Sequence, residues 1–312
     1  MLKWCLGVDS SNYTTSVAGC SEALVPISIR TPFDVRPGER GVRQNDAVFL
    51  HTKELPSLVE RLMEQYDCPP SAVAVSTAPR DVPGSYMPCF LAGVSVARST
   101  AALLQVPLYS LSHQKGHVLA ALLGCSRLDL LERAHFAYHV SGGTTELLRV
   151  VPSADGDLTI HCVGEGADLH AGQLIDRCGV RMGLKFPCGQ ALEQLSKEGA
   201  LPAPSMRFPE TTSLNLSGVE NKFESLLKNH RREDMALWLL ETLANALLAL
   251  AKAGMRGHEE LPLVLAGGVS SNRLICDRLA RHFTVCTTDH AFAAYNACGV
   301  ALYGALKMKE RL

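Results

Sequence analysis

The chain has 312 residues, 47% of them apolar and 20% charged, and its 30 basic and 31 acidic residues leave a formal charge of -1. That length suits about two domains of roughly 150 residues, and that composition excludes a disordered chain. The near-neutral balance excludes a protein that binds nucleic acid through its overall field; the densest basic run, Lys228, His230, Arg231 and Arg232, reads as a solvated helix end or loop.

In chain order, Trp4-Cys5-Leu6-Gly7-Val8-Asp9 reads as a buried strand ending in an acid. Ser10, Ser11 and Asn12 offer a polar turn, and Thr14 to Ala18 returns as a second strand, so a hairpin opens the chain with Asp9 at its mouth. Residues 31–45, rich in Pro, Gly and Arg, read as a loop. The spacing of Leu55, Leu58, Val59 and Leu62 predicts a helix over His51 to Gln65, with Pro56 early enough for a first turn. A short strand at Val73 to Ser76, a helix over Phe90 to Leu104, a strand at Pro107 to Leu111 and a helix over His113 to Leu123 follow. Ala137 to Val140 and Glu146 to Val151 form a second hairpin around Ser141-Gly142-Gly143-Thr144-Thr145, and it repeats the layout of the first. Helices are predicted over Ala171 to Met182, Gln190 to Lys197 and Ala236 to Lys252, with a Pro/Ser/Thr-rich insert at 199–216. A strand at Leu263 to Ala266, a helix from Arg273 to Arg281, a strand near Thr284 to Cys286 and a helix over Asn296 to Lys309 close the chain. Strands alternating with helices in two repeated units predict an α/β protein.

Eleven cysteines occur with no CxxC pair, which argues against a disulfide framework or a zinc knuckle and for free thiols in a reducing compartment. The apolar stretch after Lys3 is interrupted by Asp9, so no signal peptide is expected, and no run was expected to reach the roughly 18 to 20 apolar residues of a membrane helix. These readings point to a cytoplasmic protein.

Three glycine-containing turns could cradle phosphate: 141–145, 187–189 and 267–272. None matches GxGxxG or GxxxxGK[ST], which disfavours a dinucleotide dehydrogenase and a P-loop enzyme. Asp9, after a buried strand, suits a magnesium ion beside nucleotide phosphates or simply caps a turn. Asp176 could accept hydrogen bonds from ribose hydroxyls or pair with Arg177 or Arg181. His113 and His117, at i and i+4, share a helix face suited to zinc or iron. Gln114 follows His113 where HExxH requires its general base, and Ser141 lacks a GxSxG frame, so neither a zincin nor a serine hydrolase is supported.

These pieces, in this order, resemble the glycoprotease family, whose bacterial member TsaD places threonylcarbamoyl on adenosine 37 of tRNA. Leu6 to Ser11 is similar to the family's opening LGIETS, and Pro79 to Ala97 to its GPG…L.VG…AK segment. Ser112-His113-Gln114-Lys115-Gly116-His117 resembles NHLEGH, Val140 to Glu146 resembles VSGGHTE, and Ala171 to Arg177 resembles AGEAFDK. Phe186 to Gly189, Leu216 to Val219 and Ala266 to Asn272 resemble YPGG, FSGLK and GGVAAN. The resemblance implies a two-lobed actin-like ATPase or sugar-kinase type fold with a nucleotide cleft between lobes. The lobes were expected at 1–111, joined by the C-terminal helix 296–312, and at 112–295. Ser141, Gly142, Gly143, Asp176, Gly189, Gly268 and Asn272, with Asp9, match or flank positions for ATP or an acyl-adenylate. His113 and His117 match two of three ligands for iron or zinc. Implied partners are tRNA, TsaB-like or TsaE-like proteins, or a second copy of the chain.

Departures from the family are specific. Tyr295 stands where the third metal ligand, an Asp, is found, and Asp289 lies nearby. Asn12-Tyr13-Thr14 replaces CDE, Thr144 replaces the His of GGHT, and Arg177 the Lys of FDK. The resemblance therefore implies a divergent paralogue acting as a threonylcarbamoyl-type transferase from an acyl-adenylate. The alternatives are a non-catalytic nucleotide-binding or regulatory partner, and last the metallopeptidase activity of the older family label.

Overall fold

The computed structural model describes residues 2–11, 13–33, 42–154, 156–288 and 296–309. Two compact units emerge, Met1–Leu123 with Ala294–Leu312, and Gly124–Ala293. The first unit runs past residue 111 to Leu123, so the helix carrying the histidine pair belongs to it.

In the first unit, strands β1 (Trp4–Ser11), β2 (Thr14–Ser21), β3 (Pro26–Pro32), β4 (Ala72–Ala78) and β5 (Leu108–Ser112) lie in the order β3-β2-β1-β4-β5. The first three form an antiparallel meander, and β4 and β5 run parallel to β1. Parallel neighbours need crossovers, supplied by helices α1 (Gln44–Met63) and α2 (Phe90–Leu104). Central β1 is covered on both faces, which explains its unbroken apolar run. Trp4, Leu6 and Val8 pack with Val73 and Val75 against Leu55, Leu58 and Leu62 of α1 and Ala97 and Ala101 of α2. Helix α3 (His113–Gly124) follows β5 directly, and the last helix of the chain, Asn296–Lys309, returns to β1. A Cβ on Gly7 would lie 2.8 Å from the Ala297 carbonyl oxygen, so strand and helix backbones pack almost in contact.

Two local expectations are corrected here. Helix α1 begins at Gln44, so Pro56 sits inside it rather than in its first turn. Proline removes one backbone donor from the helix ladder, and the burial of Leu55, Leu58 and Leu62 around it keeps the helix intact. Strand β3, inside and ahead of the expected 31–45 loop, is an edge strand without a single fully buried residue, so its hydrophobic pattern is faint.

In the second unit, β6 (His135–Val140), β7 (Thr145–Pro152), β8 (Leu158–Gly166), β9 (Ser213–Leu214), β10 (Leu263–Ala266) and β11 (Val285–Cys286) lie in the order β11-β10-β6-β7-β8-β9. Strands β8-β7-β6-β10-β11 repeat the order and sense of β3-β2-β1-β4-β5. The repeat expected from two hairpins thus extends to five strands in each unit. Helices α4 (Ala171–Arg181), α5 (Gly189–Ser196), α6 (Ser217–Leu227), α7 (Arg232–Gly254) and α8 (Arg273–Ala280) pack with this sheet, and the last helix is α9 (Asn296–Lys309). By length and composition α7 could cross a membrane, contrary to expectation, but 72% of its most apolar window is buried, with Trp238, Leu239 and Leu243 in the core.

Candidate functional site

The first group of candidate residues lies in the first unit. The parallel register of β1 and β4 pairs Val8 with Val75, which carries Asp9 and Ser76 to adjacent positions one step on. Asp9 is 2% exposed, and both carboxylate oxygens are engaged. Ser76 Oγ donates to Oδ1, Ser11 Oγ donates to Oδ2 at 2.7 Å, and His113 Nδ1 stands 3.0 Å from Oδ1. Burial pushes the Asp9 carboxyl up, but the charge of His113 and hydrogen bonds from His113, Ser76 and Ser11 outweigh it and hold the group at about 2.

An ionised Asp9 can only accept, so the proton of His113 belongs on Nδ1. The other ring nitrogen, Nε2, is turned to His117, whose Nε2 lies 3.0 Å from it. Two bonds of about 2.1 Å meeting at about a right angle at one ion span about 3.0 Å, whereas a tetrahedral angle needs about 3.4 Å. The carboxylate–imidazole pair and the converging Nε2 atoms therefore fit two adjacent positions on a divalent ion, with Asp9 orienting the first ligand from behind. Among the described residues no group of three or more His, Cys, Asp or Glu could hold a metal. Tyr295 and Asp289, the positions bearing on a third ligand, lie outside the described residues.

Two further residues complete this group. Asn296, the first residue of α9, places Nδ2 2.7 Å from His113 Nδ1, while its Oδ1 is buried without a partner. Since Nδ1 must donate to Asp9, turning the amide end for end would put the needed acceptor beside it. Gly116 leaves room for this amide, because a Cβ there would lie 2.5 Å from Asn296 Oδ1. Ser76 was not singled out in the sequence; its signal is that it ends an apolar run as Asp9 does.

The second group lies in the second unit, at the carboxyl ends of parallel neighbours β6 and β10, where open α/β sheets take ligands. After β6, Ser141 N donates to the Thr144 carbonyl at 2.8 Å, closing the Ser141–Thr144 turn. The amides of Ala171 and Gly172 at the start of α4 donate to Thr145 Oγ1 at 2.9 Å and the Ser141 carbonyl at 3.2 Å. Gly172 must be glycine: a Cβ would lie 2.5 Å from that carbonyl oxygen. After β10, Gly267 adopts φ +90 against the Val140 backbone, which brings the 267–272 turn beside the 141–144 turn.

Helices α4 and α5 join the same region. Asp176 Oδ1 accepts from Cys188 N at 2.8 Å and so holds the 187–189 turn, while burial raises its carboxyl against that hydrogen bond. Glu193 of α5 accepts from Arg273 N at 3.0 Å at the start of α8. Asn272 is 6% exposed and is the N-cap of α8, accepting from Ile275 N at 3.2 Å. Asp168, missed in the sequence, bridges the amides of Leu216 and Ser217 at 2.7 and 3.1 Å and fixes the start of α6.

A Cβ added to Gly142, Gly143, Gly189 or Gly268 would meet nothing within 4 Å, and none of the four has positive φ. Neither local packing nor backbone conformation demands glycine at these positions, so bare amide backbone faces open space. The structure thus groups Ser141, Gly142, Gly143, Asp176, Gly189, Gly268 and Asn272 in one unit, and Asp9, His113 and His117 in the other.

A family model described as "TsaD: tRNA N6-adenosine threonylcarbamoyltransferase" matches residues 28–299. The curated tRNA N6-adenosine threonylcarbamoyltransferase of Streptococcus equi subsp. zooepidemicus is 28% identical over 298 residues, spanning 90% of this chain and 84% of its own length. The protein of that name from Methanopyrus kandleri is 26% identical over 289 residues, 88% of this chain and 78% of its own. Among solved structures, the activator of 2-hydroxyisocaproyl-CoA dehydratase from Clostridium difficile with bound ADPNP superposes with a TM-score of 0.58 at 14% identity, covering 99% of this chain and 96% of that one. The fold is the actin-like ATPase and sugar-kinase type expected from the sequence.

Proposed function

The chain belongs to the TsaD family of tRNA N6-adenosine threonylcarbamoyltransferases, and from that premise we propose that it transfers a threonylcarbamoyl group from an acyl-adenylate to an amine, N6 of tRNA adenosine 37. The observation that carries the reading is that Gly142, Gly143 and Gly268, at the ends of β6 and β10, face open space, as does Gly189 at the start of α5. The likeness to an activator solved with bound ADPNP supports a fold that takes a nucleotide.

Amides of the 141–144 and 267–272 turns receive the phosphate of the adenylate, and Asp176 accepts from the ribose hydroxyls. The acceptor amine attacks the threonylcarbamoyl carbonyl carbon, the bond from that carbon to the phosphate oxygen breaks, AMP leaves, and the amine releases one proton. Held in place, the adenylate and the amine react as an oriented pair, which is the main contribution of such a scaffold. His113 and His117 would hold a divalent ion, iron or zinc, with Asp9 orienting His113; when bound, the ion would supply a Lewis-acid centre. A tRNA acceptor places the work in the cytoplasm, and TsaB-like or TsaE-like proteins are the partners to test.

Tyr295, in place of the third ligand, favours a second reading: a nucleotide-binding subunit that has lost transfer chemistry. Incubation of the protein with threonylcarbamoyl-adenylate and unmodified tRNA, with and without TsaB-like and TsaE-like partners, separates the two. Threonylcarbamoyl-adenosine in the digested tRNA supports the transferase. Nucleotide binding without transfer under every condition supports the second reading. No binding of either nucleotide or adenylate sinks both.

A further inference from the structure

The second unit carries a thiol cluster that the proposed transfer does not use. Cys286 lies on β11, the edge strand of the six-stranded sheet, and Cys125 lies in the turn that leaves α3. Ser126, with φ 56, sits in the left-handed region and bends this turn so that Cys125 and Arg127 both reach Cys286. Arg127 Nη1 donates to Cys286 Sγ at 3.2 Å, and the Cys125 thiol hydrogen-bonds the same sulfur. Arg127 is held for this by Asp129, at 2.8 Å from Nε and 3.0 Å from Nη2. Asp129 also pairs with Arg133, so the local charge around the sulfur is net positive.

We propose that Cys286 and Cys125 form a redox-modification site, in which Cys286 attacks a low-molecular-weight disulfide and Cys125 resolves the product to an intramolecular disulfide. The Cys286 thiolate attacks one sulfur of glutathione disulfide; that S–S bond breaks and one glutathione thiolate leaves, giving Cys286 a mixed disulfide. Cys125 then loses its proton and attacks the Cys286 sulfur, expelling the second glutathione. Two protein thiols are oxidised to one disulfide, and one glutathione disulfide is reduced to two glutathiones.

The attacking role goes to Cys286 because the Arg127 guanidinium donates to its sulfur at 3.2 Å and so stabilises the thiolate. The hydrogen bond with Cys125 and the Arg127 charge hold its thiol below the usual range against burial. Elsewhere the trend is opposite: burial raises the thiols of Cys20, Cys178 and Cys298. Exposed Cys162 provides an internal reference for a solvent-accessible thiol.

The test treats the full-length reduced protein with glutathione disulfide, quenches with N-ethylmaleimide at intervals, and maps every cysteine by mass spectrometry. Cys286 is expected to react about tenfold faster than Cys162 and to end as a Cys125–Cys286 disulfide. In Cys125→Ser the mixed disulfide should persist on Cys286, and Arg127→Gln should slow the first step severalfold. Modification of Cys162 ahead of Cys286, or disulfides spread over other cysteines, would overturn the proposal. So would an unchanged rate in Arg127→Gln. The wild-type mapping needs no variant, so it stands even if a substitution disturbs folding.

Discussion

Asp9 Oδ1 stands 3.0 Å from His113 Nδ1, although the two residues are 104 positions apart in the chain. One lies on the central strand of the first unit and the other on the first turn of the helix that follows the sheet's edge. Their contact turns an acid at the end of a strand into an orienting group for an imidazole. It also predicts what happens when the acid is removed.

Asp9→Asn keeps the shape and removes the charge that fixes the His113 tautomer. Metal affinity should fall about 10- to 100-fold, read by titration of the apoprotein. ADP affinity, which the proposed function assigns to the other unit, should change less than about twofold. An equal loss of ADP binding would show that Asp9 serves the nucleotide and not the histidine.

His113→Ala with His117→Ala should abolish binding of iron and zinc, measured by elemental analysis of untagged protein. Tyr295→Asp should tighten metal binding by supplying the absent carboxylate. No gain in that variant would mean that residue 295 is not directed at the ion.

Glycine substitutions separate a ligand cradle from a packing contact. Gly268→Val and Gly142→Val place side chains in open space, so the melting temperature should move by no more than about 2 °C while ADP affinity falls at least about tenfold. Gly172→Ala, whose Cβ would lie 2.5 Å from the Ser141 carbonyl, should lower the melting temperature itself. Calorimetry and fluorescence titration on the same preparations give both numbers.

Asn272→Ala removes the N-cap of α8 and should destabilise the second unit by about 1 kcal/mol, with Asn272→Asp close to native. Chemical denaturation checks this. A loss of ADP affinity in Asn272→Ala with unchanged stability would instead mark Asn272 as a ligand-binding side chain.

Buried His51 gives the fold a pH dependence. Burial lowers it from 6.5 to about 4, the charge of Asp9 opposing, while its Nδ1 lies 2.8 Å from Thr15 Oγ1. The unfolded chain therefore binds the extra proton first as pH falls. The contribution of neutral His51 is complete above about pH 6.5 and is lost progressively as pH drops through 6.5 toward 4. His135, also lowered by burial, acts in the same sense. Stability measured from pH 7.5 to 4 should show a shallower slope in His51→Gln than in the native chain.

The sequence by itself determined the alternation of strands and helices, the two hairpins that open the units, and the ordered motifs around His113, Ser141, Asp176 and Gly268. These are written locally: an apolar strand run, a glycine pair or an i, i+4 histidine pair is legible without knowing what lies opposite. Edge strand β3 and the short α6 escaped because they bury few residues, and α1 was read too short because Pro56 looked like a start signal. Only the tertiary structure decided that Asp9 meets Ser76 and His113, and that Cys125 and Cys286 share a hydrogen bond with Arg127 beside them. Those relations depend on strand register and on returns of the chain over 67 residues or more, and a single side chain carries no record of its distant partner until the core has packed.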